Sequence, residues 1–323
     1  MSPRADAPTS RPEKGRFAPS PSGRMHLGNI YAALLSWLSA KSRGGSWLLR
    51  IEDLDPQRSR REYAQLIEDD LRWLGLLWDE GGLDGLGSAG PYVQSLRGDI
   101  YRDHLERLDA LGLTYNCSCT RADIMATQAP HRSDGRVVYA GTCRPAQQPP
   151  FPVRADIPGT RAAVRLPVPS CEVSFVDRIC GRQRVNLAAE CGDFIMRRSD
   201  GAWAYQLAVV VDDALMGVTE VVRGDDLLLS TAQQIYLYEL FGYAIPEFAH
   251  LPLLCNEAGQ RLSKRDASLS MEQLRRDFTP ERLIGHIAHL AGIISEPMAL
   301  STGDLLELTA ASPQGAWESR LQR

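Results

Sequence analysis

The chain has 323 residues, enough for two or three compact units around a sizeable core. Apolar residues make up 44% and charged residues 24%, an ordinary globular balance, and the formal net charge of −4 excludes a polycation, so any nucleic acid must be met by a local basic face. No stretch approaches the roughly 20 apolar residues of a membrane span, and an odd count of seven cysteines fits a reducing, cytoplasmic setting better than a disulfide framework.

Residues 1–14, MSPRADAPTSRPEK, lack the apolar core of a secretion signal and read as a disordered tail. Ile30, Leu34, Trp37 and Leu38 then recur at helical spacing, predicting a helix over 29–42. SWLLRI follows as a strand. EDLDPQRSRREY leads into a second helix, with Pro56 near its first turn and Tyr63, Leu66, Ile67, Leu71 and Leu74 as its apolar face. After the glycine-rich break EGGLDGLGSAG, a third helix gathers Ile100, Leu105, Leu108 and Leu111.

Strand and helix alternating at this spacing predict an α/β fold with a parallel sheet, residues 15–113 forming its first half. From 114 to 190, cysteines, prolines and short β-like runs (RAAVRLPVP, CEVSFVDRI) suggest an inserted subdomain. YQLAVVVDDALMGVTEVVRG is nearly continuously apolar and predicts buried strands in a second half over 191–245. Residues 246–323 read as helical. Thr279 and Pro280 cap and open a helix carrying Leu283, Ile284, Ile287 and Leu290, and SPQGAWESRLQR reads as a frayed end.

One stretch carries more than a turn requires. FAPSPSGRMHLGNI, residues 17–30, packs prolines, serines and glycines ahead of His26, Gly28 and Asn29, where loop becomes helix. Backbone N–H groups at such an end, with His and Asn donors beside them, suit a phosphate and the charge that develops on it. Gly28 lets a ligand approach the backbone. Far downstream RLSKR, residues 261–265, sets Lys264 in a polar loop from which an ammonium can reach a pyrophosphate leaving group. Each signal is weak alone; the two together point to a nucleotide triphosphate.

Cys117, Cys119 and Cys143 have the spacing of three corners of a tetrahedral zinc site. General ligand chemistry nominates His131 as the fourth, and the role would be to staple a loop-rich insertion. Cys171, Cys180, Cys191 and Cys255 read as packing residues.

APSPSGRMHLGN followed by RLSK resembles the two signature motifs of class I aminoacyl-tRNA synthetases. RFAPSPSG, RIEDLD, GDFIMRRSDGAWAYQLAVVVDD and GVTEVVRGDDLL, in order from residue 16, are similar to the glutamyl branch. Departures are modest: Asn29 ends the first motif in place of His, and Arg261 and Arg265 replace a lysine and a serine in the second. The resemblance implies a Rossmann-like parallel sheet with an inserted zinc-containing α+β subdomain and a C-terminal helical segment. It implies ATP with Mg2+, bound through Pro19, His26, Gly28, Asn29, Ser263 and Lys264, with His26, Asn29 and Lys264 catalytic. It implies a pocket for L-glutamate lined by Arg16, Phe17, Ala18, Pro19, Ser20, Glu52, Tyr205 and Arg223. Recognising that substrate asks for one acid and one or two guanidiniums, which Glu52, Arg16 and Arg223 offer. It also implies Tyr139 of YAGTC as the fourth ligand of one structural Zn2+, with His131 as the rival.

A full glutamyl-tRNA synthetase reads its anticodon through a C-terminal domain, and fewer than sixty residues follow Lys264, too few for another such domain. The chain thus resembles the truncated paralogues called glutamyl-Q tRNA(Asp) synthetases, which implies transfer of activated glutamate to queuosine in the anticodon loop of tRNA-Asp, by a monomer. Two other readings stay open: charging of tRNA-Glu with anticodon recognition from a partner, and a non-catalytic nucleotide- or tRNA-binding paralogue. Arg121, Arg132, Arg136 and Arg144 around the cysteines are candidates for gripping RNA.

Overall fold

In the computed structural model, which describes residues 12–126, 138–152, 161–254, 270–310 and 316–322, the chain begins as strand, helix, strand. β1 (Lys14–Phe17), α1 (Leu27–Ser42) and β2 (Ser46–Leu49) are followed by α2 (Arg61–Trp73), β3 (Glu80–Gly81) and α3 (Gly98–Ala110). β1, β2 and β3 pair in parallel in that order. Helix α1 is buried on nearly every side. Its Ile30, Leu34, Leu35 and Leu38 are fully removed from water, each contributing roughly 1.5–3 kcal/mol relative to exposure.

β4 (Tyr115–Cys117), α4 (Arg121–Ala126), β5 (Ala163–Leu166), β6 (Glu172–Asp177), β7 (Gly181–Asn186) and β8 (Phe194–Arg197) come next. They are followed by α5 (Tyr205–Leu215), β9 (Glu220–Gly224), α6 (Leu228–Phe241) and β10 (Glu247–Leu251). The helices α7 (Met271–Asp277), α8 (Pro280–Leu290), α9 (Thr302–Ala310) and α10 (Ala316–Ser319) complete the described chain. A second sheet has the order β7-β6-β10-β9, with β10 parallel to both β6 and β9 and β7 folded back antiparallel on β6. The two parallel groups meet along β1, where Thr219 N donates to Lys14 O at 2.9 Å and Lys14 N donates to Thr219 Oγ1 at 2.8 Å. An antiparallel sheet, β4-β5-β8, carries Cys117 at the end of its first strand.

The parallel α/β arrangement is the predicted one, with differences that have physical causes. YQLAVVVDDAL is the helix α5 rather than a strand. Leu207 to Asp213 are all buried, and an apolar run covered on every side has no period to separate helix from strand. Only Glu220–Gly224 of that stretch is extended. Helix α2 begins at Arg61, five residues after Pro56, because Asp55 first closes a turn through bonds from Arg58 N and Ser59 N. The segment after 246 starts with a strand, β10, before its helices. Leu111 and Leu290, each last in its stripe, are exposed at 56% and 42%.

The expected frayed end is packed. Trp317 and Leu321 are buried, and Glu318 lies 3.1 Å from Arg178 and 3.7 Å from Arg43. Cys171 is exposed rather than packed, Cys180 and Cys191 are half-buried, and Cys255 lies outside the described residues.

Candidate active site

The 17–30 stretch folds as its capping residues dictate. His26 is the N-cap of α1: its Nδ1 accepts from Gly28 N at 3.1 Å, and its own N–H donates to Asn29 Oδ1 at 3.1 Å, a reciprocal box. The Gly28 and Asn29 N–H groups are therefore not open to a ligand, as the sequence had suggested, since Asn29 N also donates to His26 O at 2.8 Å. The box instead sets the side chains. With Nδ1 an acceptor, the proton of a neutral His26 is on Nε2, and with Oδ1 committed, Asn29 retains its amide N–H2 as donor. A Cβ at position 28 would fall 3.1 Å from His26 Cε1, so a larger residue there would push on the capping imidazole. His26, Gly28 and Asn29 line a cavity of about 230 Å³ together with Phe17, Gly224 and residues 251–254.

A second cavity, of about 320 Å³, adjoins it through Phe17, Asn29, Ala32 and Gly224. The structure brings together here all eight residues expected around glutamate: Arg16, Phe17, Ala18, Pro19, Ser20, Glu52, Tyr205 and Arg223. They come from the carboxyl ends of β1, β2 and β9 and the start of α5, where parallel sheets place their ligands.

Charge in this cavity is unevenly satisfied. Arg223 is buried, and its bonds among the described residues all run to neutral groups: Tyr205 Oη at 3.2 Å, His250 Nε2 at 3.1 Å, Thr231 Oγ1 and Gln234 Oε1 at 2.8 Å each, and Leu227 O at 3.5 Å. Burial, with Arg16 nearby, holds its pKa below the ordinary arginine value although Tyr205 and Asp213 act the other way. Arg16 makes one long bond, to Val222 O at 3.4 Å, and a 3.6 Å ion pair to Asp213. Among the described residues its Nε has no hydrogen-bond acceptor. Two guanidiniums with donors to spare and one carboxylate, Glu52, fit a zwitterion bearing an extra acid.

Beneath them lies a network that sequence reading missed. Arg50, fully buried, reaches Asp213 at 2.7 Å, Glu52 at 3.1 Å and Asp212 at 3.7 Å. Asp212 is also held by Arg97 at 2.6 Å, Gln94 at 2.8 Å and Tyr101 at 2.8 Å. Burial pushes Glu52 above its ordinary value, against the pull of Arg50 and Arg16. Arg50 itself is held well above the ordinary arginine value, its three carboxylates outweighing burial. The available signal was a pair of aspartates closing an apolar run, which needs buried cations once that run is a covered helix.

Ser263 and Lys264, with the rest of RLSKR, lie outside the described residues, as do His131, Arg132 and Arg136. The residues flanking the second motif's segment both stand beside His26: Leu254 lines its cavity, and Ser270 pairs with His26 as an isolated antiparallel bridge. Arg144 is 3.3 Å from Asp193.

Cys117, Cys119 and Cys143 converge, their sulfurs within 4.8 Å of one another. Cys117 and Cys119 lie 3.3 and 3.7 Å from Tyr139 Oη, and Cys119 lies 3.4 Å from Cys143. A tetrahedral zinc would set sulfurs about 3.8 Å apart and sulfur to oxygen about 3.5 Å, so the donor set fits. Burial raises the Cys143 thiol, but bonds from Ser118 backbone, Cys119 and Tyr139 bring it to about 6. Cys119 is raised to about 11, chiefly by burial. Arg165 stacks 3.7 Å over the Tyr139 ring.

A profile of the tRNA synthetases class I (E and Q) catalytic domain matches residues 14–298. The chain is 49% identical to the glutamyl-Q tRNA(Asp) synthetase of Symbiobacterium thermophilum over 297 residues, covering 90% of each chain. It is 46% identical to the enzyme of that name from Nitratidesulfovibrio vulgaris, covering 93% of this chain and 92% of that one. Its backbone matches a solved glutamate tRNA ligase from Elizabethkingia meningosepticum with a TM-score of 0.76 and 29% identity, covering 91% of this chain. The present chain spans only 64% of that solved chain. No helix among the described residues is long and apolar enough to cross a membrane. By profile and by relatives alike, the chain belongs to the class I aminoacyl-tRNA synthetases of the glutamate and glutamine branch, a family of ligases.

Proposed function

We propose that the protein activates L-glutamate with Mg2+-ATP and transfers it to queuosine in the anticodon loop of tRNA-Asp. The observation that carries the first half is Arg223, a buried cation whose bonds all run to neutral partners, facing the same cavity as Arg16 and Glu52. Glu52 pairs with the substrate ammonium, and the two arginines take its carboxylates. The α-carboxylate oxygen attacks the α-phosphorus; a carboxyl–phosphate anhydride forms, the bond to the bridging oxygen breaks, and pyrophosphate leaves. Nε2–H of His26 and the amide of Asn29 stabilise charge building on the α-phosphate. Lys264 neutralises the departing pyrophosphate, a reading supported by Leu254 and Ser270 flanking His26.

In the second step a queuosine hydroxyl attacks the anhydride carbonyl, AMP leaves, and its phosphate accepts the proton. A third cavity, of about 510 Å³, shares Ser20, Ser22, Glu52 and Tyr205 with the glutamate pocket. Trp203 and Leu54 give it apolar walls, and Arg58 and Arg198 line it too, parts that suit a nucleoside and its phosphates. Choice of queuosine is supported by the two relatives of that name, which the chain covers almost completely. Zinc, held by Cys117, Cys119, Cys143 and Tyr139, would staple the β4-β5-β8 unit and supply no chemistry to the reaction.

The test offers labelled glutamate and ATP with three RNAs: tRNA-Asp carrying queuosine, tRNA-Asp carrying guanosine at that position, and tRNA-Glu. Label on the queuosine form alone is expected. Label on tRNA-Glu would show an ordinary charging enzyme, and no glutamyl-adenylate at all would show a binding paralogue.

A further inference from the structure

Arg223 on β9 stands in register with His250 on β10, and on the other side of β10 Asp177, at the end of β6, stands in register with Phe248. The side chains cross the sheet in the same order. Asp177 Oδ2 lies 2.6 Å from His250 Nδ1, and Arg223 Nε donates to His250 Nε2 at 3.1 Å. The Asp177 and His250 side chains are wholly buried, and neither lines any of the cavities above.

The protons follow from donor arithmetic. Thr231 Oγ1 also lies 3.1 Å from Nε2 and can take either role, but an arginine N–H can only donate, so Nε2 must present its lone pair and the ring proton belongs on Nδ1, donated to Asp177. The other carboxylate oxygen, Oδ1, accepts from the backbone N–H groups of Ile179, Cys180 and His250 at 3.0, 2.8 and 3.1 Å, which fixes the orientation of the carboxylate.

We propose that Asp177 and His250 are positioning residues: a neutral imidazole, locked in its Nδ1–H form by Asp177, orients Arg223 without neutralising it. A carboxylate placed directly on Arg223 would also orient it, but would cancel the charge that an incoming carboxylate needs. Interposing a neutral ring separates the two tasks. Burial, with Arg223 and Arg16 adding to it, holds His250 below its ordinary pKa against the pull of Asp177, consistent with an uncharged ring. This inference rests on the reading of Arg223 as a carboxylate-binding arginine.

Asp177→Asn tests it with almost no change of shape. Three backbone donors keep the amide oxygen on their side, so the new N–H2 faces Nδ1 and drives the ring proton to Nε2. Nε2–H then opposes Arg223 Nε–H, donor against donor, and its one alternative acceptor among these partners, Thr231 Oγ1, is already taken by Arg223 Nη2. In ATP–pyrophosphate exchange, KM for glutamate is expected to rise about ten-fold or more, as for loss of a bond to a charged group. kcat and KM for ATP should stay within about two-fold. His250→Leu should behave like Asp177→Asn, and His250→Gln, whose amide oxygen can still accept from Arg223, should recover most of the affinity. Long-range proton–nitrogen spectra of the wild-type ring should show protonation at Nδ1, moving to Nε2 in Asp177→Asn. A wild-type ring protonated at Nε2, or a folded Asp177→Asn with unchanged KM for glutamate, would overturn the proposal. Absence of any glutamate-dependent exchange in the wild type would instead sink the glutamate reading, and the spectra then decide on the imidazole by themselves.

Discussion

Arg50 and Asp213 close a 2.7 Å ion pair in which neither side chain is more than 3% exposed. Asp213 passes that contact on to Arg16, and Arg50 passes it on to Glu52. The charges that line the candidate pocket are thus seated on a second tier almost closed to solvent. Arg50→Met removes the cation shared by Asp212, Asp213 and Glu52, and breaking one side of such a network costs about 3–5 kcal/mol. Urea unfolding should read a loss of that size. A variant within about 1 kcal/mol of wild type would mean these carboxylates do not depend on Arg50.

Asn29 has two separable tasks. Its oxygen completes the cap of α1, and its amide N–H2 is the proposed phosphate donor. Asn29→Ala should lose both: about 1 kcal/mol of stability and about a hundred-fold or more in exchange rate. Asn29→Asp keeps an acceptor for His26 N and so should keep the melting temperature, while its exchange rate falls at least as far. Equal activity in Asn29→Asp and wild type would remove Asn29 from the chemistry.

Glu52 carries a pH signature. Burial holds its pKa above the ordinary glutamate value, with Arg50 and Arg16 opposing. Only the ionised form pairs with an ammonium, so KM for glutamate should rise on acidification through a midpoint above the ordinary glutamate value, approaching about ten-fold per pH unit below it. The stability sign is opposite. A carboxyl whose folded pKa is raised contributes most below its unfolded value, and that contribution is lost as pH climbs through the folded one. Glu52→Gln should raise KM and flatten its acid limb; a limb that persists in the variant would belong to another group.

Metal analysis of the purified protein should find one zinc per chain. Tyr139→Phe should lose it or weaken it strongly, while His131→Ala should retain it. The reverse pattern would move the fourth ligand to His131. Chelation should loosen β4-β5-β8 first, seen as faster amide exchange at Tyr115–Cys117, because that unit has only a small core of its own around Tyr115, Tyr139 and Phe151.

Trp203 lines the third cavity but not the second, so its loss should separate the two proposed half-reactions. Trp203→Ala leaves every proposed glutamate and ATP contact in place, so pyrophosphate exchange should stay within about three-fold. Transfer to queuosine-bearing tRNA should fall about ten-fold or more, the size expected when a base loses an aromatic wall. Parallel losses in both assays would place Trp203 in support of the glutamate pocket instead.

Much of the candidate site was legible because its charged side chains sit at strand ends and in an over-elaborate loop. Arg16, Glu52 and Arg223 are charges in apolar surroundings, and Cys117, Cys119 and Cys143 carry their spacing openly. What stayed hidden depends on partners distant in sequence. Asp212 and Asp213 look like the polar end of a strand until α5 is seen to be covered all round. His250, a single imidazole in EFAHLPLL, looks like ordinary core, since nothing local reveals that Asp177 and Arg223 flank it. Trp317 and Leu321 lie in a stretch polar enough to read as loose, and only the helices they pack against say otherwise.

The seam between Lys14 and Thr219 joins residues 205 positions apart. A chain leaving the ribosome has made the 17–30 loop long before Arg223 exists to line a cavity with Arg16. Pairings of such long range are slow to close, so capture of an amino acid in that pocket should report that both halves of the sheet have found each other.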